Sequence, residues 1–180
     1  LWAVVGSLDF LTWRHAIAGF GLYTLFMSSL IIAIKTDLDA MVIPITATLG
    51  VVPFGLFGAF MGVLPLSFMV SASGGLIGFG LLWLINKAFQ RFRGIEGVGE
   101  GDMDLLCLIG VFLGYEGVHT TLLLASLSGL IGALIYLLAT KKELQTRIPF
   151  APFLAGSALI CLLCPEQVRI GTAMVEALFL

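Results

Sequence analysis

Residues 99–106 read Gly-Glu-Gly-Asp-Met-Asp-Leu-Leu and place a carboxylate, Asp102, behind two glycines and in front of a long apolar run. Gly99 and Gly101 carry no Cβ, so the backbone can turn here and another segment can approach closely. The run from Leu105 to Tyr115 is typical of a helix, which predicts that Asp102 lies near a helix N-terminus, where the helix dipole favours a carboxylate. An acidic group at the edge of a membrane segment is a candidate functional residue, and a helix cap is the alternative.

The composition is that of an integral membrane protein. Hydrophobic residues make up 59% of the 180 residues and charged residues 11%, whereas soluble domains carry about 25% charged residues. The 47 residues from Ala40 to Asn86 carry no charge, and because one span needs about 20 apolar residues, this run is expected to hold two helices. The net charge of −2, with no basic stripe, argues against binding to nucleic acid.

We therefore expect an all-α fold, a polytopic transmembrane helix bundle with about six to seven membrane segments in a lipid bilayer. Residues 1–180 are expected to form a single integral-membrane domain. The chain begins with Leu1 and not with methionine, so the numbering is expected to start inside a longer chain.

The first half of the chain predicts three helices. The uncharged run Ala16–Ile34 is long enough to span once. Proline favours the first turn of a helix, so a second helix is expected from about Pro44 to about Gly62. The segment Gly62–Pro65 is the expected turn, and a third helix is expected to run to about Ala88. Small residues on that helix allow close helix packing in lipid: Gly74, Gly75, Gly78 and Gly80.

The second half begins with the longest polar connection, from Lys87 to Gly101. Its charge and glycine content predict a mobile loop that leads into Asp102. A short helix is then expected from Met103 to Tyr115, with a turn near Glu116-Gly117 and a returning helix from about Val118 to Ala139.

A second basic connection, residues 140–147, precedes an apolar segment that ends near Cys164-Pro165. The last piece, Val168–Leu180, is too short to span, and its placement stays open. If Asp37 is on the inner side, this topology puts seven basic residues inside and two outside, which agrees with the positive-inside rule. The seven are Lys35, Lys87, Arg91, Arg93, Lys141, Lys142 and Arg147; the two are Arg14 and Arg169.

This topology brings two acidic clusters to the same membrane face: Asp37 with Asp39, and Asp102 with Asp104. Two carboxyl groups held close together in a partly dry site cannot both ionise easily, so the pair holds one proton between them. Such a pair is the machinery of aspartic proteolysis, in which one member activates water and the other polarises the scissile carbonyl. For Asp39 and Asp104, helix capping is an equal alternative.

Other chemistries fit the sequence less well. His15 and His119 are both expected at the outer face, so neither could act as base to a nucleophile at the inner face. Hard cations require more oxygen ligands at fixed geometry than the turn at residues 99–102 supplies, so we expect no metal and no other cofactor. The pair Cys161-Leu-Leu-Cys164 has metal-site spacing but no second pair or histidine nearby, which favours a packing role.

Three separated stretches resemble the type IV prepilin peptidases, which are intramembrane aspartic proteases of the GxGD type. The family's first catalytic aspartate stands seven residues before the proline of an Ile/Leu-Pro pair, as Asp37 stands before Pro44. Its second lies in a Gly-x-Gly-Asp-x-Lys-Leu-Leu pattern, which is similar to residues 99–106. Residues 148–155, Ile-Pro-Phe-Ala-Pro-Phe-Leu-Ala, are similar to the family's Ile-Pro-Phe-Gly-Pro-Tyr segment.

The sequence also departs from the family pattern. Asp104 stands where the family usually has lysine, and Ile45 where Asp or Asn often follows the proline. Exchanging a cation for an acid near Asp102 is expected to change the pH optimum. The paired CxxC motifs of the bifunctional members do not occur in these residues, so N-methylation of the product is not assigned.

The resemblance implies an endopeptidase of the bacterial inner membrane that cleaves the leader of prepilin-like or pseudopilin-like proteins at the cytoplasmic face, after a glycine and before a hydrophobic helix. Asp37 and Asp102 are its implied catalytic pair. Neighbouring residues are expected to support the pair or contact the substrate: Gly99, Gly101, Asp39, Asp104, Pro44 and Pro149. The alternatives are another GxGD-type protease, for which no Pro-Ala-Leu segment is found, and a non-catalytic transporter or assembly protein.

Overall fold

The computed structural model describes residues 2–94, 99–140 and 149–164, and these residues form five α-helices. The helices are α1 (Trp2–Ala40), α2 (Val52–Phe60), α3 (Phe68–Arg93), α4 (Glu100–Thr140) and α5 (Ala151–Leu163). By length and composition, α1, α3 and α4 each contain a stretch able to cross a membrane. The described residues are therefore all-α, as predicted, but this arrangement does not establish six to seven membrane segments.

Helix α1 is much longer than the uncharged run that predicted it. It begins at Trp2, because isolated polar residues such as Arg14 do not interrupt backbone hydrogen bonding. Asp37 lies in its last turns, and the N–H of Met41 donates to the Asp37 carbonyl at 2.9 Å. Met41 then takes a φ of 54°, in the left-handed region, which ends the helix.

The second helix begins later than predicted. Residues 45–51 form successive turns, with hydrogen bonds such as Ala47 N–H to the Pro44 carbonyl at 2.9 Å, and α2 starts only at Val52. Pro53 has no N–H, so a helix from Pro44 would lose a backbone bond in its interior, whereas proline is well tolerated in a first turn. The predicted start at Pro44 is therefore wrong, and the segment after Pro44 stays irregular.

The turn at Gly62 is confirmed, with a φ of 68°. Helix α3 follows, capped by the Ser67 hydroxyl, and continues to Arg93, where Gly94 ends it with a φ of 67°. The predicted polar connection was too long, because Lys87–Arg93 is helical. Lysine, glutamine and arginine are good helix formers, so charge alone did not mark a loop. Residues 95–98 of the predicted mobile loop lie outside the described residues.

Helices α3 and α4 cross at a pair of glycines, as the small residues of α3 predicted. A Cβ on either Gly74 or Gly110 would overlap the backbone of the other, and a Cβ on Gly78 would overlap the backbone of Leu106. The Ser71 hydroxyl donates to the Val111 carbonyl at 2.7 Å in the buried interface. Close backbone approach supplies the van der Waals contact that holds helices together in lipid.

Helix α4 reverses its direction at Gly114, where φ is 72° and ψ is −177°. Before this residue, α4 leads away from the end of the bundle that carries Asp37, and Phe112 stacks on Phe26 of α1 at 4.6 Å between ring centroids. After it, Thr121 contacts Cys161 at the far end of α5, and Gly132 lies against Phe153 near the start of α5. The predicted reversal is therefore present.

The turn was predicted near Glu116-Gly117, and the structure places it at Gly114, two residues before Glu116. The reversal needs a φ of 72°, which glycine adopts easily and a residue with a Cβ rarely adopts. Helix α5 ends at Leu163, in agreement with the segment predicted to end near Cys164. Residues 141–148 and Val168–Leu180 lie outside the described residues.

Candidate active site

Asp37 is buried at the end of α1, with 8% of its surface exposed. Its Oδ2 accepts a hydrogen bond of 3.0 Å from the backbone N–H of Ala151, the first residue of α5. The two residues are separated by 114 positions in the chain. The start of α5 therefore lies directly on the first predicted catalytic aspartate.

Asp102 lies in the first turn of α4, as the two preceding glycines predicted. Its N–H donates to the Gly99 carbonyl at 3.2 Å, which closes the turn. Its carboxyl group is partly buried and is close enough to Asp37 for the two charges to repel each other. The structure thus brings the two predicted catalytic side chains together at one end of the helix bundle.

Gly101 is the point where the two acidic segments touch. A Cβ built on Gly101 would lie 2.8 Å from the Cβ of Ile43 and 3.2 Å from its Cδ1, which is closer than side-chain packing allows. Ile43 is buried and immediately precedes Pro44. The Ile-Pro pair after α1 therefore seats α4 beside Asp37, and glycine at position 101 is what makes this approach possible.

The other two acidic residues have different neighbours. Asp39 is exposed two positions after Asp37, and residues at this spacing lie on different faces of a helix. Asp104 is half-buried, and its charge acts on Glu100 and on the thiol of Cys107 within α4. In the described residues, the close interactions of the pair therefore involve Asp37, Asp102 and Ala151.

Comparison with known proteins identifies the family of the chain. Residues 24–135 match the model of the type IV leader peptidase family, and this range includes both aspartates and the glycine turn. The chain belongs to the type IV leader peptidase family. No solved structure matches the chain.

Curated relatives of this type IV leader peptidase family member carry the name "Prepilin leader peptidase/N-methyltransferase". The protein of Aeromonas salmonicida is 36% identical over 133 residues, which cover 73% of this chain and 45% of the relative. That of Xanthomonas campestris pv. campestris is 31% identical over 144 residues, covering 79% and 50%. That of Burkholderia pseudomallei is 30% identical over 158 residues, covering 87% and 50%. The chain spans about half the length of these relatives.

The third stretch that resembles the type IV leader peptidase family supplies the start of α5. Pro149 is half-buried next to Phe150, which caps the helix, and Pro152 stands at its second position. Sequence reasoning found Pro149 but missed Ala151, because the group that meets Asp37 is a backbone N–H and not a side chain. The available signal was Pro152, since proline marks the first turn of helices, where N–H groups have no partner inside the helix.

The histidines and the cysteine pair of this family member lie away from Asp37. His15 precedes Asp37 by 22 residues on α1, about 33 Å at the rise of a helix. His119 is in α4 two residues before Thr121, at the opposite end of α5 from Ala151. Cys161 lies 3.6 Å from the Thr121 hydroxyl, a contact between two packed helices.

Proposed function

We propose that this protein is an intramembrane aspartic endopeptidase that removes the leader peptide from prepilin-like or pseudopilin-like proteins, with Asp37 and Asp102 as the catalytic pair. The observation that carries the proposal is the contact of Gly101 with Ile43. It brings the two carboxyl groups, which come from different helices, close enough to repel each other in a partly buried site. A pair of this kind holds one proton, so one member can accept a proton while the other donates one.

The chemistry follows from that division of roles. The ionised carboxylate takes a proton from a water molecule as the water oxygen bonds to the scissile carbonyl carbon. The protonated carboxyl group gives its proton to the carbonyl oxygen, which yields a neutral gem-diol. When the C–N bond breaks, the carboxyl group that was protonated by water gives its proton to the leaving nitrogen. The other carboxylate takes a hydroxyl proton from the gem-diol as the carbonyl reforms, so the pair returns to its singly protonated state.

The substrate class is supported by the names of the relatives, which refer to prepilin leaders. It is also supported by the place of the pair, at one end of helices that can cross a membrane. A leader joined to a membrane helix has its cleavage site at the membrane surface, so this position would reach it. N-methylation is not part of the proposal.

We place the protein in the bacterial inner membrane with the pair at the cytoplasmic face. The support is the excess of basic residues on the connections at that end, seven against two in the topology derived from the sequence. The relatives named above are bacterial.

The test is cleavage of a prepilin-like peptide by purified protein with Asp37→Asn or Asp102→Asn. Each variant keeps the size of the side chain but removes its charge, so each is expected to abolish cleavage while the protein stays folded. The double variant should lose little more than either single one, since the two groups act as a unit. Glu116→Gln, an exposed carboxylate on α4, is the matched control and should cleave normally. Substantial cleavage by either aspartate variant would overturn the aspartic mechanism.

A further inference from the structure

Asp37 occupies an unfavourable position on its own helix. It lies in the last turns of α1, where the carbonyl groups give the helix end partial negative charge that repels a carboxylate. It is also buried and interacts with the charge of Asp102. A carboxylate in this position needs a compensating group from another element.

A backbone N–H at the start of α5 supplies that group. Ala151 is completely buried, and its N–H donates to Asp37 Oδ2 from the positive end of α5. The bond occupies Oδ2 of the Asp37 carboxyl.

We infer that the first turn of α5 is a positioning element: the backbone N–H of Ala151 fixes the Asp37 carboxylate and makes Asp37 the base, which leaves Asp102 as the member that carries the proton. This inference rests on the proposed function and adds to it an assignment of the two roles. It also assigns residues 149–152, Pro-Phe-Ala-Pro, the role of positioning the Asp37 carboxylate.

The part of α4 that follows Gly114 packs against α5 and holds the first turn of α5 in place. A Cβ on Gly132 would come within 2.6 Å of the Phe153 ring, and one on Gly129 within 3.5 Å of the Phe150 ring. Both aromatic rings flank the turn that carries Ala151. The packing of this turn is therefore closest at Gly132 of α4, which lies far from the aspartates in sequence, and Phe150 makes an ordinary contact at Gly129.

The elements packed against Asp37 bring few other charges to it. Helix α2 contains no titratable residue, and α5 contains only Cys161, ten positions from Ala151. On α4 the acidic residues near this end are Asp102, Glu100 and Asp104, of which Asp102 interacts with Asp37. On α1 the neighbouring charged residues, Lys35 and Asp39, are exposed. Among residues 2–94, 99–140 and 149–164, the N–H of Ala151 and the carboxyl of Asp102 are thus the two groups shown to interact with the Asp37 carboxyl.

The test replaces Ala151 with lactic acid in the full chain, which converts one amide to an ester and removes the N–H while keeping the methyl group. We expect kcat to fall about 10- to 100-fold, the range for losing one hydrogen bond to a charged group. The KM is expected to change little, because the N–H acts on the Asp37 carboxyl and not on the substrate. Lactic acid at Ala158, another buried alanine of α5, is the control and should leave kcat and KM unchanged.

A second pair of variants tests the same point without altering the backbone. Gly132→Ala should displace the Phe153 ring, which flanks the first turn of α5, and lower kcat with little change in KM. Gly156→Ala, on α5 with open space around it, should behave as wild type. An unchanged kcat in the Ala151 ester, with normal loss of cleavage in Asp37→Asn, would overturn the positioning role alone. Cleavage by Asp37→Asn would instead overturn the proposed function.

Discussion

Ile43 lies directly against Gly101, so closely that a Cβ at position 101 would come within 2.8 Å of the Ile43 Cβ. The contact joins the irregular segment that follows Asp37 to the helix that begins just before Asp102. The distance between the two carboxyl groups therefore depends on the absence of one methyl group, and this dependence can be tested directly.

Gly101→Ala is expected to reduce cleavage strongly. The added Cβ must push Ile43 away, and a displacement of about 1 Å between catalytic groups can cost on the order of 100-fold in rate. Cleavage of the prepilin-like peptide, with helix content by circular dichroism as the folding check, measures the effect. Gly80→Ala, where nothing lies within 4 Å, is the control. Equal activity of the Gly101→Ala and wild-type proteins would show that this contact does not set the geometry of the pair.

Gly99→Ala should have a smaller effect than Gly101→Ala. A Cβ at position 99 would lie 3.5 Å from Asp102 Oδ2, which is an ordinary van der Waals contact. The same cleavage assay, run on both alanine variants side by side, checks the order. The reverse order would mean that the first glycine has a role in substrate binding that packing does not explain.

Asp39→Asn and Asp104→Asn are expected to keep most of the cleavage activity. Asp39 is exposed, and the charge of Asp104 acts on Glu100 and Cys107, so neither has a short-range interaction with the pair in the described residues. Their effect should be limited to a partial loss or a change of pH optimum, measured as kcat/KM across pH. Complete loss in Asp39→Asn with retention in Asp37→Asn would reverse the assignment within the first acidic cluster.

Ser71→Ala should lower the stability of the protein without removing activity. The Ser71 hydroxyl bonds to the Val111 carbonyl across the interface of α3 and α4, and such bonds between membrane helices contribute about 0.6 to 1.7 kcal/mol. Reversible unfolding in mixed micelles gives the free energy of unfolding. Ser73→Ala is the matched control, because the Ser73 hydroxyl bonds to Val70 within its own helix. No difference between the two variants would count against a stabilising bond at this crossing.

Cysteine labelling at positions 87 and 116 should report opposite sides of the membrane. Lys87 lies on the part of α3 that approaches the start of α4, whereas Glu116 follows the reversal at Gly114, and both are exposed. In a background without the three native cysteines, Lys87→Cys is expected to react from the cytoplasmic side and Glu116→Cys from the other. Reaction of both from one side would contradict the proposed orientation of the pair.

Much of this fold could be derived from local properties of the chain. Hydrophobicity alone identified an integral membrane protein, because a soluble domain of ordinary composition does not contain an uncharged run of 47 residues. The glycines of residues 99–102 predicted a turn before Asp102, and those of α3 predicted a close helix crossing. These features depend on the presence or absence of a Cβ, which is a property of the residue itself.

Other features depended on the tertiary structure. Hydrophobicity did not distinguish a helix from successive turns at residues 45–51, nor Gly114 from its neighbours as the point of reversal. The hydrogen bond from Ala151 to Asp37 joins residues 114 positions apart, and every non-proline residue carries the same N–H. Which N–H meets the Asp37 carboxylate is decided by how α5 packs against α4, as at Gly132, and this arrangement exists only once the helices have assembled.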